Sequence, residues 1–468
     1  MTAGASPEIV RGSFRDPAGF VYTRDGILYR QVNRIFAEEF DACVTAGLHD
    51  ALAAKGLLVS HRTVGLELAA TPDAHRVIEP ARIEFVSYPY EWAFGELKDA
   101  ALLTLDVLEH ALDRGFVLRD ASAYNVQFRD ARPIFIDTLS FAPYRDGEPW
   151  PAYKQFAEHF LVPLALMRST DVRCGRLQRE YLDGIPLDLG SRLLPWRTWL
   201  HLGPLLHVHL HARAMKRYEN ASVEAVARHR RLSKRAMFGL LGSLRNAVER
   251  FSWRPAMRTT SAWVDYSCAH TYSDRALAAK RRLVRSYLAS LIPRSVWDVG
   301  ANTGTFSRVA REVAPSIVCF DSDLATVELF YRQVRDNGET GILPLHLDLM
   351  NPSPAVGWAH EERLSLEARG PADAVLCLAL IHHLAISNNV PLVRIAEALA
   401  RFGRGLVIEF VPKSDSQVEH LLRNRVDIFP DYTQAGFERA FGQHYAIAER
   451  ERIPDSERWL YLMRGHRR

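Results

Sequence analysis

From residue 272 onward the spacing of apolar and polar positions alternates between two periods. Helical spacing over 277–291 gives way to an unbroken apolar run at 296–299, and helical spacing returns at 308–313. The same exchange repeats: runs at 317–320, 342–347, 374–380 and 405–411, with helical patterns at 324–336 and 391–400. Fully apolar runs separated by amphipathic helices predict a parallel sheet whose crossovers cover both faces. After a short helix at 437–441, two further runs, 444–453 and 458–463, meet at Pro454-Asp455-Ser456 and predict a closing antiparallel hairpin. The C-terminal half therefore reads as α/β.

The N-terminal half is patterned differently. Residues 20–29 alternate about Asp25-Gly26, a hairpin signature. Phe36, Phe40, Cys43, Leu48 and Leu52 recur at helical spacing, and Leu97, Ala101, Leu105, Leu108 and Leu112 form one stripe of a helix over 96–112. Trp150 to Met167 predicts a packed helix. Mixed short strands and helices give an α+β expectation.

Composition narrows the class. A chain of 468 residues with 48% apolar and 24% charged residues exceeds one ordinary core and has globular composition. No apolar run reaches membrane-spanning length, the first fifteen residues lack a signal-peptide core, and a cytoplasmic setting is expected. Five cysteines, at 43, 174, 268, 319 and 377, show no Cys-x-x-Cys spacing. The net charge of +4 is uneven: twelve Lys/Arg against three Glu between Arg213 and Arg258 make a local +9. This basic stretch, densest from Arg228 to Arg235, is a candidate contact for an anionic partner.

The candidate chemistry centres on Ser295-Val-Trp-Asp-Val-Gly-Ala-Asn-Thr-Gly-Thr-Phe-Ser307. Strand one carries Asp298 and empties into a loop with Gly300, Asn302 and Gly304; strand two ends at Asp321, twenty-one residues past Gly300. Gly-x-Asn-x-Gly is not the Gly-x-Gly-x-x-Gly of pyrophosphate binders. The segment resembles motif I of class I S-adenosylmethionine (SAM) dependent methyltransferases, and the terminal hairpin is similar to theirs. The resemblance covers about 190 residues and implies a Rossmann-like methyltransferase sheet with SAM as cofactor. In that family Asp298, Gly300, Asn302 and Gly304 would lie under the methionine part, Asp321 would hold the ribose hydroxyls, and Asp348 with Leu349 would receive the adenine. Strand four ends in Ile381-His382-His383-Leu384, so His382 and His383 are the catalytic candidates, with a structural role equally open. Asn351-Pro-Ser-Pro354 reads as an acceptor-side or lid loop, and Glu409-Phe-Val-Pro-Lys413 as an acceptor contact.

In the N-terminal half, Gly115-Phe-Val-Leu-Arg-Asp-Ala-Ser-Ala-Tyr-Asn-Val-Gln-Phe128, followed by Arg132-Pro-Ile-Phe-Ile-Asp137, resembles the core of protein kinases and aminoglycoside phosphotransferases. The resemblance implies that Asp120 positions an acceptor hydroxyl while Asn125 and Asp137 hold magnesium. Leu118 replaces the usual histidine, Thr138-Leu139 follow Asp137 in place of Phe-Gly, and no lysine falls between Lys55 and Lys98. A degenerate kinase-like domain is expected, with Mg-ATP binding the alternative. His207 and His211 share a helix face without a further ligand at zinc spacing and read as buried structural histidines.

These readings assemble into a kinase-like domain at 1–200, a helical basic connection at 201–270 and a methyltransferase domain at 271–468, no metal being expected in the last. The expected function is methyl transfer from SAM to an unidentified acceptor recognised with the N-terminal domain. A bifunctional phosphotransferase–methyltransferase and a non-catalytic SAM-binding regulator are the alternatives.

Overall fold

The computed structural model describes residues 6–218, 232–255, 272–423 and 426–466. The chain divides into two units, Met1–Arg254 with Ala355–Arg363, and Pro255–Pro354 with Leu364–Arg468. The connection expected at 201–270 falls partly within the first unit and partly outside the described residues. Lys234–Arg250 forms a helix of the first unit, and its Arg245 pairs with Asp106 (2.6 Å) and Glu109 (2.9 Å) on the helix Phe94–Asp113. Part of the expected basic stretch, 219–231 and 256–258, lies outside the described residues, as does Cys268.

The first unit opens with a five-stranded antiparallel sheet. Its central hairpin, Gly19–Arg24 with Ile27–Asn33, turns at Asp25-Gly26 with φ of 51° and 76°. The helical pattern over Phe36 to Leu52 is realised as two helices, Ala37–Thr45 and Leu48–Ala54, because Gly47 adopts φ 60° between them. The long helix Phe94–Asp113 buries Leu97, Ala101, Leu105, Leu108 and Leu112. Two small antiparallel pairs follow, Phe116–Leu118 with Phe141–Pro143 and Val126–Arg129 with Arg132–Phe135.

The second unit holds a seven-stranded sheet. Its strands are β1 (Ser295–Val299), β2 (Ser316–Asp321), β3 (Ile342–His346), β4 (Ala372–Cys377), β5 (Gly403–Phe410), β6 (Tyr445–Arg452) and β7 (Trp459–Gly465). The order is β3-β2-β1-β4-β5-β7-β6, with β7 antiparallel to β5 and to β6 and the rest parallel. This is the Rossmann-like arrangement with a terminal hairpin. The chain reverses its direction of travel between β1 and β4, so a ligand crevice opens at their carboxyl ends. Helix α1 (Asp274–Leu291) precedes β1 and starts at Ser273, whose Oγ accepts from the Ala276 N–H at 3.1 Å.

β4 stops at Cys377, three residues short of the expected end. Val299 pairs with Cys377, and at Gly300 the chain on the β1 side turns away with φ 79°, leaving no ladder partner beyond on that side. Leu378-Ala379-Leu380 leave the sheet, and His383–Ser387 form a widened helical turn.

Candidate functional site

The crevice at the β1/β4 switch is a cavity of about 470 Å³. Among the residues lining it are Asp298 and Gly300 to Thr303 at the end of β1, Asp321 and Ser322 at the end of β2, Leu347 to Met350 after β3, Leu378 to Leu380 with His383 and Leu384 after β4, Lys280 and Arg281 on α1, and Arg458 before β7.

Its floor is built from backbone. The Gly300 and Ala301 N–H groups donate to the Phe320 carbonyl at 2.8 and 3.0 Å, drawing the loop after β1 against the tip of β2. Gly304 has φ 81°, and a Cβ there would stand 1.9 Å from Phe330 Cζ, so no larger residue fits without moving that ring. Asn302 adopts the left-handed region, φ 49°, and its N–H donates to Asp321 Oδ2 at 2.8 Å. The Asp323 N–H donates to Asp321 Oδ1 at 2.9 Å. Asp321 is thus oriented by backbone donors from the loop after β1 and from the turn that follows β2.

Burial governs the electrostatics. It pushes the Asp298 carboxyl up to about 7, against the pull of the Ser307 hydroxyl, which donates to Oδ2 at 2.6 Å. It pushes Asp321 up to about 6 against its backbone donors. Asp348 takes the Met350 N–H on Oδ1 at 2.9 Å. All three carboxylates line the cavity, as do Gly300, Asn302 and Leu349.

The two candidate histidines separate. His383 is on the cavity wall, and burial lowers it to about 4, so its imidazole is neutral at pH 7. His382 is 0% exposed and absent from the wall; burial, then His383, pushes it well below the usual histidine value. Glu409 also sits behind the wall, fully buried on β5. Residues 352–354 line a second, apolar cavity with Leu366, Ile395 and Phe402 instead of the first.

The pattern of the chain did not announce a buried ionic network on one wall. Lys280 donates to Glu409 Oε2 at 2.7 Å and to the Tyr272 hydroxyl at 3.3 Å. That hydroxyl donates in turn to Glu409 Oε1 and accepts from Arg458 Nη1 at 2.9 Å. Arg458 grips Asp415 with Nε at 2.7 Å and Nη2 at 3.0 Å. Burial opposes the charge on Glu409, but Lys280 and Arg458 outweigh it and hold the carboxylate below its ordinary value. One signal was available: Lys280 lies four residues from both Ala276 and Val284, on the buried stripe of α1. A lysine there requires a partner.

The first unit gathers its own acids. Asp120 accepts from the Ser122 N–H at 2.9 Å and is bonded by the Asn125 and Gln155 side chains; burial, with Asp137 nearby, raises it. Asp137 is ion-paired to Arg30 and accepts from the Ser140 hydroxyl and, at 3.1 Å, from the Leu139 N–H. Burial opposes its ionisation, yet Arg30 holds it below the ordinary carboxylate value. His207 is bonded to the Tyr153 hydroxyl at 2.8 Å and to Ser243 at 2.9 Å, and His211 stacks on Tyr153 at 4.5 Å.

No family model matches the chain. It is 38% identical over 471 residues to the nodulation protein NoeA of Rhizobium meliloti strain 1021, covering 98% of this chain and 97% of that protein. Among solved structures, the N-methyltransferase NodS of Bradyrhizobium japonicum WM9 overlays 42% of this chain and 99% of its own, with TM-score 0.32 and 10% identity. The magnesium protoporphyrin IX methyltransferase of Synechocystis PCC 6803 with bound S-adenosylhomocysteine overlays 40% and 84%, with TM-score 0.28 and 16% identity. With TM-scores near 0.3, neither structure bears on the reaction.

Proposed function

The chain belongs to the family of the nodulation protein NoeA, and we propose that its second unit is a SAM-dependent methyltransferase. One observation carries this reading: a cavity at the β1/β4 switch lined by Asp298, Asp321 and Asp348, with a glycine-turned loop at its floor. Three carboxylates repel the phosphates of a dinucleotide or nucleoside triphosphate and suit a ligand with a ribose, an amino group and a positive centre. SAM meets that description, and the residues present fit it.

Asp321 would take the ribose hydroxyls on its carboxylate, and Asp348 with Leu349 would meet the adenine edge. The loop from Gly300 to Gly304 would lie under the methionine part. Bound there, SAM supplies an activated methyl group for in-line transfer to a nucleophile. The protein's share of the work is to hold the acceptor in line and exclude water, which accounts for much of the acceleration in such transfers. His383, neutral at working pH, is positioned to accept a hydrogen bond from an acceptor hydroxyl or amine. His382, buried behind it, packs.

We assign the first unit to acceptor recognition. Its resemblance to phosphotransferases supports a fold that has lost phosphate chemistry, because Arg30 holds the carboxylate, Asp137, that would bind magnesium. A fixed guanidinium opposes a divalent cation at that oxygen.

Calorimetric titration tests the reading. Wild type should bind SAM saturably, and Asp321→Asn should weaken binding by about 100-fold, the loss of one or two hydrogen bonds to a charged acceptor. Conversion of SAM to S-adenosylhomocysteine with acceptor-containing extract should follow. Wild type that fails to bind SAM, or Asp321→Asn that binds within threefold of it, would sink the assignment.

A further inference from the structure

The first unit carries an apolar, purely basic face between Asp188 and Glu219. Residues Leu202 to Tyr218 form one continuous helical run, widened at Leu205–Leu210. On its inner side His207, Val208, His209, His211 and Ala212 are buried. On its outer side Leu202, Leu206 and Leu210 recur every fourth residue and are exposed, Leu202 at 66%. On the turn just before them in the chain, Trp196 is 77% exposed and Leu200 73%. Five large apolar side chains on one contiguous stretch exceed the scattered exposure normal for a soluble surface.

The charges on this stretch have one sign. Arg192, Arg197, Arg213, Lys216 and Arg217 are exposed, and no Asp or Glu occurs between Asp188 and Glu219. Arg192 pairs with Asp188 at the edge, and Arg213 lies 4.3 Å over the Trp199 ring. Arg213 and Arg217 continue the line of Leu206 and Leu210 along the helix. Exposed leucines and a tryptophan on one stretch whose only charges are cations are the features of a helical segment that lies in a lipid headgroup layer.

We propose that this face docks on an anionic lipid surface, with Trp196, Leu200, Leu202, Leu206 and Leu210 entering the headgroup–acyl boundary and the arginines meeting lipid phosphates. Charge complementarity selects this occupant. A second copy would oppose cations to cations across an isologous contact. Single-stranded nucleic acid wants successive aromatic platforms, and Trp199 is already covered by Arg213 and stacked on His209. The attachment is peripheral: among the described residues no helix is long and apolar enough to cross a membrane.

The test is co-sedimentation of the full chain with vesicles of phosphatidylcholine alone and of phosphatidylcholine mixed with phosphatidylglycerol. Each cation near an anionic surface contributes about fivefold to partitioning. Wild type should therefore pellet with the mixed vesicles, remain in solution with neutral ones, and be released by salt. Arg213→Glu/Arg217→Glu and Leu206→Ser/Leu210→Ser should each lower partitioning by roughly tenfold or more. Both pairs are on the surface, so unfolding transitions and SAM binding should match wild type. Absence of wild-type partitioning, or variants that partition like wild type, would overturn the proposal. So would a dimer in sizing experiments that dissociates with Leu206→Ser/Leu210→Ser, which would make the face a contact between copies.

Discussion

Lys280 and Glu409 offer a direct measure of what the cavity wall costs and returns. Both side chains are buried, at 3% and 0% exposure, with Nζ and Oε2 2.7 Å apart. At an effective dielectric of 20 their gross attraction is about 6 kcal/mol. Taking two ions from water costs several kcal/mol each, so the pair as a whole contributes close to zero. Removing one partner is different. Lys280→Met leaves Glu409 buried with only the Tyr272 hydroxyl and Arg458, the latter 3.7 Å away, and should cost about 3 kcal/mol. Glu409→Leu should cost a similar amount by stranding Lys280. The double variant Lys280→Met/Glu409→Leu removes both charges and should recover most of the loss, leaving Arg458 on Asp415. The assay is thermal and urea unfolding followed by hydrogen exchange of the β1 and β4 amides, which reports the second unit separately from the first. At about 3 °C per kcal/mol, each single variant should lower the second unit's Tm by roughly 9 °C. A double variant no more stable than either single one would refute the reasoning, because uncompensated charge would then not be the source of the loss.

Two further outcomes are expected. Gly304→Ala would place a Cβ against Phe330 at φ 81° and should cost about 2–4 kcal/mol and most SAM binding; the companion Phe330→Leu should relieve the clash and leave only the backbone strain, and unchanged calorimetry for Gly304→Ala would contradict it. For pH, Asp321 has its folded value raised to about 6 by burial. The unliganded fold therefore gains from its proton below the ordinary carboxylate value and loses that contribution as pH rises through about 6. SAM binding has the opposite sign, since ribose hydroxyls donate to the ionised form. Its affinity should be flat above about 7 and fall by about tenfold per pH unit below about 6; a flat profile down to pH 5 would exclude Asp321 as the ribose acceptor.

Much of the second unit was legible in order. The runs at 296–299, 317–320 and 342–347 became β1, β2 and β3 within a residue or two, because a strand buried on both faces must be apolar throughout. Gly300 and Gly304 were marked by the turn they make, and Asp321 by its place at the end of an apolar run. Ends of elements were less legible where a neighbour set them: β4 closes at Cys377, level with Val299, the last residue of β1 before that chain turns away at Gly300.

What the sequence by itself determined is local and periodic: the alternation of strand and helix, the hairpin at the C-terminus, the glycine-containing loop after β1 and the acids placed at strand ends. These depend on contacts within a few residues and on which face must be buried. The tertiary structure alone decided which distant side chains meet. Tyr272 and Arg458 are 186 positions apart, Lys280 and Glu409 are 129 apart, and Arg30 and Asp137 are 107 apart. It also decided that His383 and not His382 lines the cavity, and that the helix Lys234–Arg250 belongs with the first unit. No period in the chain encodes such meetings, because they follow from how helices and strands pack once each has buried its own apolar face.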